Sequence, residues 1–574
     1  MRLEVWAPLA RSVEVVGADG VRRMPLARGE HGLWRAEVPA GFLDAGYRFA
    51  LDGGEPRPDP RSRWQPDGPH GASRPVDETG LRRHRRAGFR PAALREAVFY
   101  ELHVGTFTPE GSYAAAREKL PHLAALGVTH VELMPLATFP GRHGWGYDGV
   151  AWYAPHPAYG TPEGLAAFVG HCHAHGLGVL LDVVYNHFGP DGCYAPAYGP
   201  YLTDRWKTPW GPAVNYDGRH ADGVREFAIG NALMWLRDYG FDGLRLDAVH
   251  AIVDTGARHL LEELAERVLA LGRELDREFV VIAESDLNDP RLVRPPALGG
   301  YGLDAHWCDD FHHALHAVLT RERAGYYEDF GSLAQLAAAL RDGYVFQGQY
   351  SAFRGRRHGR PPEGVRPEQL VVFAQNHDQV GNRARGERLS QLLAPERLRA
   401  AAALTLLSPF TPLLFQGEEW GARTPFLFFA DHQDPALARA VSEGRRSEFA
   451  PFGWNGEVPD PQAPETFLGS RLDWDERGRP AHAALLAWHR RLLALRRARR
   501  VAPGERPDVR FDEAEGWIAW RLGDVFAACN LSDAPRAVPF PDGAWQLALA
   551  EPAPAAAGAP IPAGATAVFT RGTG

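Results

Sequence analysis

The stretch FDGLRLDAVH, residues 241–250, decides how this chain of 574 residues is read. In an extended strand neighbouring side chains point to opposite faces, so Leu244 and Leu246 share one side while Arg245 and Asp247 share the other. If the leucines pack against helices, the arginine and the aspartate project together into the interior of a covered sheet. A cation beside a carboxylate keeps it ionised, as a nucleophile or an electrostatic stabiliser requires. A structural Arg–Asp pair fits the same pattern, so the motif must be weighed with the rest of the chain.

Similar apolar runs lie on both sides of it. They are AVFYELHV (97–104), VTHVELMPL (128–136), GLGVLLDVVYNH (176–187), FVVIAES (279–285), GLDAHW (302–307), QLVVFAQNHD (369–378) and TPLLFQGEE (411–419). Helix-like segments such as PEGLAAFVGHCHAHG and RHLLEELAERVLALG separate them. Strands alternating with helices argue for a parallel sheet, and this number of strands for an α/β fold of the (β/α)8 barrel type.

Two further acids stand at strand ends. Glu284 follows FVVIA, where a charge is costly without a task and where a glutamate tends to keep its proton, as a general acid must. Asp378 closes VVFAQNHD, with His377 beside it. A barrel gathers the C-terminal ends of its strands on one face, so Asp247, Glu284 and Asp378 are expected to meet there. Two acids across a glycosidic bond are the minimum for glycoside hydrolysis, and the third could hold sugar hydroxyls. Trp145, Tyr147, Trp152, Tyr153, Tyr194, Tyr198, Trp206 and Trp210 supply flat faces that suit sugar rings.

Away from the barrel the texture is β. Residues 1–90 read as a small sandwich, 91–500 as the barrel, and 501–574 as an antiparallel domain. The Gly-, Pro- and aromatic-rich segment 188–222 reads as an extended loop with a binding function. RRHRR (82–86) reads as a solvated linker. LLAWHRRLLALRRARR (485–500) reads as a helix closing the barrel with a solvated outer face. HCHAH (171–175) has ligand-type residues but reads as a surface-facing helix end rather than a metal site.

Composition excludes several classes. Lys plus Arg number 63 against 71 Asp plus Glu, for a net charge of −8. That balance disfavours a nucleic-acid or anionic-membrane partner. Four cysteines lie scattered with no CxxC spacing, and the N-terminus alternates like a strand instead of a signal peptide. No apolar run is long enough to span a bilayer. A cytoplasmic monomer without cofactor or metal is expected.

DVVYNH (182–187), GLRLDAVH (243–250), IAES (282–285) and QNHD (375–378) resemble, in order and at strand ends, the four signature regions of the α-amylase family of glycoside hydrolases. The resemblance covers most of the chain. It implies Asp247 as nucleophile, Glu284 as acid/base and Asp378 as transition-state stabiliser. His187, Arg245 and His377 would bind the reacting sugar, and Tyr147 would stack on it, with Asp148 nearby. In some relatives the asparagine of the first region binds calcium. Asn186 is that position here, but no acidic cluster accompanies it.

The stretches HGWGYDGVAWYAPHPAYG, IAESDLNDPRLV, WCDDFHHALH, QNHDQVGNRARGERL and LLFQGEEWGARTPFLFFADH resemble a narrower branch of that family. Its members cut the α-1,4 bond adjoining a terminal trehalose on a maltooligosaccharide, so maltooligosyltrehalose and related α-glucans are the expected partners. By that likeness Arg245, Leu246, Ala248, Val249 and His250 should line the cleft, as should Asp309, Asp310, Phe311, His312 and His313. His377, Gln379, Val380, Gly381 and Asn382 should join them. A glucan branching enzyme shares the sandwich and the acids, and differs only in what attacks the intermediate. A non-catalytic carbohydrate-binding barrel would be expected to lack one of the three acids, and all are present.

Overall fold

The computed structural model describes residues 1–39, 41–448, 458–554 and 556–571. Eight parallel strands close into a barrel. In chain order they are β1 (Phe99–Leu102), β2 (His130–Leu133), β3 (Gly178–Val183), β4 (Gly243–Leu246), β5 (Val280–Ala283), β6 (Ala305–Trp307), β7 (Leu370–Phe373) and β8 (Thr411–Phe415). Each lies within one of the apolar runs quoted above. The strands are shorter than those runs because the last residues leave the ladder at the C-terminal end. Asp247 and Glu284 each sit one position past the end of their strand.

The alternation in β4 works as its sequence requires. Leu244 and Leu246 join the large apolar layer between sheet and helices. Phe99, Leu180, Ile282, Ala305, Trp307, Val371, Phe373 and Leu413 fill the interior instead. Burying each of the Val, Leu, Ile and Phe side chains among them stabilises the fold by about 1.5–3 kcal/mol. Arg245 pairs in register with Asp182 of β3 and lies 4.1 Å over the Trp307 ring. The barrel is therefore apolar in its lower half and ionic towards its mouth.

Before the barrel, two three-stranded antiparallel sheets form over residues 2–51. After it, a five-stranded antiparallel sheet carries its own core around Phe526, Trp545 and Phe569.

The surface segments carry more structure than their sequence readings give. Segment 188–222 is no plain loop: Leu202–Thr208 and Gly211–Val214 pair as an antiparallel hairpin. Trp6 of the first sheet packs edge-on against Tyr201 of this arm, at 5.1 Å between ring centroids. The Tyr198 hydroxyl donates to the carbonyls of Arg57 and Pro58. Gly223 is required there, since a Cβ would lie 2.1 Å from the Trp6 ring.

His173 of HCHAH is buried and bonds Asp242 at 2.9 Å. RRHRR is largely exposed, as its reading expects, while Arg82 pairs with Asp238 at 2.7 Å and Arg86 donates to the carbonyls of His173 and Ala174. Arg496 of the helix Pro480–Ala498 is buried and donates to the carbonyls of Leu406, Ser408 and Phe410. These basic residues satisfy backbone carbonyls or carboxylates that burial would otherwise leave unpaired.

Candidate active site

Three carboxylates converge at the barrel mouth around one guanidinium. Arg245, fully buried, reaches Asp247 Oδ1 with Nη1 at 3.0 Å and Glu284 Oε2 with Nη2 at 3.5 Å. The same Nη1 donates to Asp182 Oδ2 at 2.7 Å. Asn186 donates from Nδ2 to Asp247 Oδ2 at 2.7 Å and to its backbone carbonyl at 2.8 Å. The Asn186 amide, weighed above as a calcium ligand, is thus turned onto Asp247. Among the described residues no group of three or more His, Cys, Asp or Glu could hold a metal ion.

Glu284 accepts a hydrogen bond from the backbone N–H of Ala248. Ala248 can aim it there only in the left-handed region, with φ 39° and ψ 51°, a conformation that costs a non-glycine residue about 1–3 kcal/mol. Burial pushes the Glu284 carboxyl well above the usual carboxylate range; Arg245 pulls it back, and Asp247, Asp378 and Asp309 push it further up. A carboxyl pushed towards its protonated form suits a general acid.

Asp378 lies in the short helix His377–Gly381, whose first turn is capped by the Asn376 side chain. Its Oδ1 lies 3.5 Å from His377 Nε2 and accepts from Asn382 Nδ2 at 3.2 Å. The Tyr147 hydroxyl donates to Asp182 Oδ2 at 2.5 Å and lies 2.7 Å from His377 Nε2. One face of Tyr147 is stacked on His377, with 5.1 Å between centroids. His187 contacts Asn186 through Nδ1 and stacks on Trp210 at 4.6 Å. Asp148 lies 3.7 Å from His432.

The expected cleft lining is brought together only in part. Ala248, Asp309 and Asn382 remain close to the acids in space, while His250 and Gln379 adjoin them in sequence. Asp309, at the start of the helix Asp309–Thr320, is pushed up to about 7 by burial beside Asp286, Asp378 and Asp310. The helical and strand alternations take other members of the set inside. Leu246 and Val249 belong to the apolar layer outside the sheet, while Val380 packs with Trp145, Phe415 and Phe426. Gly381 lies so close to Trp145 that a Cβ would come within 2.1 Å of that ring.

Asp310 is consumed by Asn288 Nδ2 and the N–H groups of Val345 and Phe346. Phe311 is fully buried against Phe410. His312 is tied to the Ala374 carbonyl and Tyr327, and His313 packs on Tyr326 and Phe330. Of the aromatics offered as sugar platforms, Trp152, Tyr153 and Tyr198 are core anchors, whereas Trp210 is 48% exposed.

Four groups escaped the sequence reading. Glu101, at the third position of β1, holds His377 by both oxygens. Asp182 ties Tyr147 to Arg245, and burial pushes it up to about 7 against the pull of that arginine. Glu132 of β2 is buried with neither oxygen hydrogen-bonded, and burial, Glu101 and Asp182 raise it well above the carboxylate range. Arg354 reaches Asp286, two residues past Glu284, at 2.8 Å. The signal for the first three was available: a lone acid within a buried apolar strand, the feature that singled out Glu284.

A closed parallel barrel with acids just beyond its fourth, fifth and seventh strands defines the α-amylase class of glycoside hydrolases. Residues 92–195 match the family described as the alpha amylase catalytic domain, and residues 505–569 match a domain of unknown function, DUF3459. The fold is similar to the crystal structure described as a putative alpha amylase from Salmonella typhimurium, with a TM-score of 0.90 and 39% identity, over 99% of this chain and 97% of that one.

The chain is 50% identical to the malto-oligosyltrehalose trehalohydrolase of Arthrobacter ramosus over 569 residues, 97% of each chain. It belongs to the malto-oligosyltrehalose trehalohydrolase family. The likeness to a 1,4-alpha-glucan branching enzyme of Geobacillus stearothermophilus is 32% over 342 residues, 53% of each chain.

Proposed function

We propose that this enzyme hydrolyses the α-1,4 bond next to the terminal trehalose of maltooligosyltrehalose, releasing trehalose and a maltooligosaccharide, with retention of configuration. Glu284 protonates the leaving trehalose oxygen while Asp247 attacks the anomeric carbon, giving a covalent glycosyl-enzyme. Glu284 then takes a proton from the water that releases the sugar. Asp378 and His377 hold the hydroxyls of the reacting sugar, with Tyr147 and His187 at its sides.

The observation that carries this reading is Arg245, whose single guanidinium touches both Asp247 and Glu284. It brings the two acids to one place and leaves them unlike: Asp247 is held also by the Asn186 amide, and Glu284 is pushed towards its protonated form. Retention requires about 5–5.5 Å between the carboxyl groups. Family membership over almost the whole chain favours hydrolysis at trehalose over branching, where the likeness reaches only half of each chain. The four free thiols suit a reducing cytoplasm, where the reaction would serve trehalose formation.

Incubating the purified protein with maltooligosyltrehalose and, separately, with maltopentaose tests the reading. Trehalose is expected from the first and far slower cleavage from the second. Amylose that gains α-1,6 branches, with no trehalose released, would overturn it.

A further inference from the structure

Both nitrogens of the His377 ring face acceptors. Nδ1 lies 2.5 Å from Glu101 Oε1, and the backbone N–H of His377 donates to Glu101 Oε2 at 2.9 Å. An ionised carboxylate has only lone pairs to offer, so Nδ1 carries a hydrogen. On the other edge, Nε2 lies 2.7 Å from the Tyr147 oxygen. That phenol directs its single proton to Asp182 Oδ2, an oxygen already accepting from Arg245 Nη1. A phenol that donates elsewhere can only accept from the ring, so Nε2 carries a hydrogen as well. An imidazole with two N–H groups is a cation.

We propose that Glu101, on the first barrel strand, is a positioning residue for glycosidic cleavage: it fixes His377 in one orientation and as an imidazolium, with Nε2–H held by the Tyr147 oxygen and the positive ring edge 3.5 Å from Asp378, beside the reacting sugar. This rests on the function proposed above. Glu101 itself is 1% exposed and lies behind the ring, out of reach of a saccharide.

The charges around the ring agree with the hydrogen bonds. Burial opposes a charged imidazole, but Glu101 and Asp378 outweigh it and push His377 up to about 9, with Arg245 acting against them. Glu132 and Asp182 face it as further acids, and His103 from the side opposes. The remaining walls are the rings of Trp145, Tyr147 and Trp307. Glu101 is the only one of these groups that grips both ring and backbone. A fixed cation beside Asp378 and the attacked carbon then needs no reorganisation when charge moves there.

The test is a pH titration of the full-length chain labelled with 15N-histidine, His377→Gln serving to assign the signal. In the wild type the His377 nitrogens should keep the imidazolium shift through neutral pH and titrate well above an ordinary histidine. Glu101→Gln should lower that midpoint by about two units, the scale of losing an adjacent charge. It should also reduce kcat on maltooligosyltrehalose by about tenfold to a hundredfold, first on the alkaline side and with little change in KM. Glu101→Asp should restore the cationic signal and part of the rate.

A neutral His377 at pH 7 in the wild type would overturn the proposal, and that measurement stands even if Glu101→Gln fails to fold. An unchanged titration and pH–rate profile in a folded Glu101→Gln would overturn it too. A wild type that fails to release trehalose while His377 titrates high would sink the proposed substrate and still support the role of Glu101 in holding the cation.

Discussion

The two ends of β4 carry carboxylates in opposite circumstances. At the closed end Asp242, just before the strand, accepts from Arg277 Nη2 at 2.7 Å, from the Val179 N–H at 2.8 Å and from His173 Nε2 at 2.9 Å. Burial would raise its pKa, yet these partners hold it below the usual carboxylate value. At the mouth pairing is uneven: Asp247 is held by Arg245 and Asn186, but other acids there lack partners. Asp182 Oδ1 and both oxygens of Glu132 are buried and unbonded, and Glu284 is pushed far up. Full pairing makes an acid a structural tie, whereas incomplete pairing leaves capacity for a proton or a substrate hydroxyl.

Four measurements can break or sharpen that contrast. The largest effect belongs to the mouth: Asp247→Ala should lower kcat by about 10⁴-fold or more with little change in Tm, as expected for loss of a nucleophile. Residual turnover within tenfold of the wild type would remove Asp247 from its role. At the closed end the sign reverses. Asp242→Ala strands Arg277 and His173 and should cost about 3–5 kcal/mol of stability in denaturant unfolding, with kcat unchanged. A stable but inactive variant would erase the distinction between the two ends.

The third effect is on pH. The folded pKa of Asp242 lies below its unfolded value, so its stabilisation is present at neutral pH and fades as pH falls through the folded pKa. Glu132 is the converse: its folded pKa is raised, so keeping it uncharged costs stability as pH rises above the unfolded value. Glu132→Gln should match the wild type near pH 4 and exceed it at pH 8 by at least about 1 kcal/mol, the worth of roughly one pK unit. Equal stability at both pH values would show that Glu132 finds a partner in solution.

The smallest effect concerns Ala248. Ala248→Gly relieves a left-handed residue and should change stability by less than about 1 kcal/mol, while Ala248→Val should cost more and slow turnover by displacing the N–H aimed at Glu284. Equal Tm and rate for both would mean that this backbone conformation carries no constraint.

What could be read from the sequence follows the same division. The barrel was legible because its signal is local: apolar runs at strand spacing, with Leu244 and Leu246 on one face and Arg245 on the other. The three acids were legible because each closes such a run. The wall of the cleft was not, since residues adjacent in a helix point in different directions. Asp309 faces the acids while Asp310 and Phe311 turn inward. Nor could the pairing of Glu101 with His377 be seen, because 276 residues separate them. One residue of the basic helix misled for a related reason: Arg496, which caps carbonyls in another element, looks in isolation like a charge in water.

The grip of Trp6 on the arm that carries Trp210 bears on how far this enzyme can be trimmed. The first fifty residues bury the root of that arm, and Gly223 has no side chain to fill the gap they would leave. Removing them would expose aromatic surface and unmoor Trp210, which stacks on His187. An engineer seeking a minimal catalyst therefore has to keep the head of the chain along with the barrel.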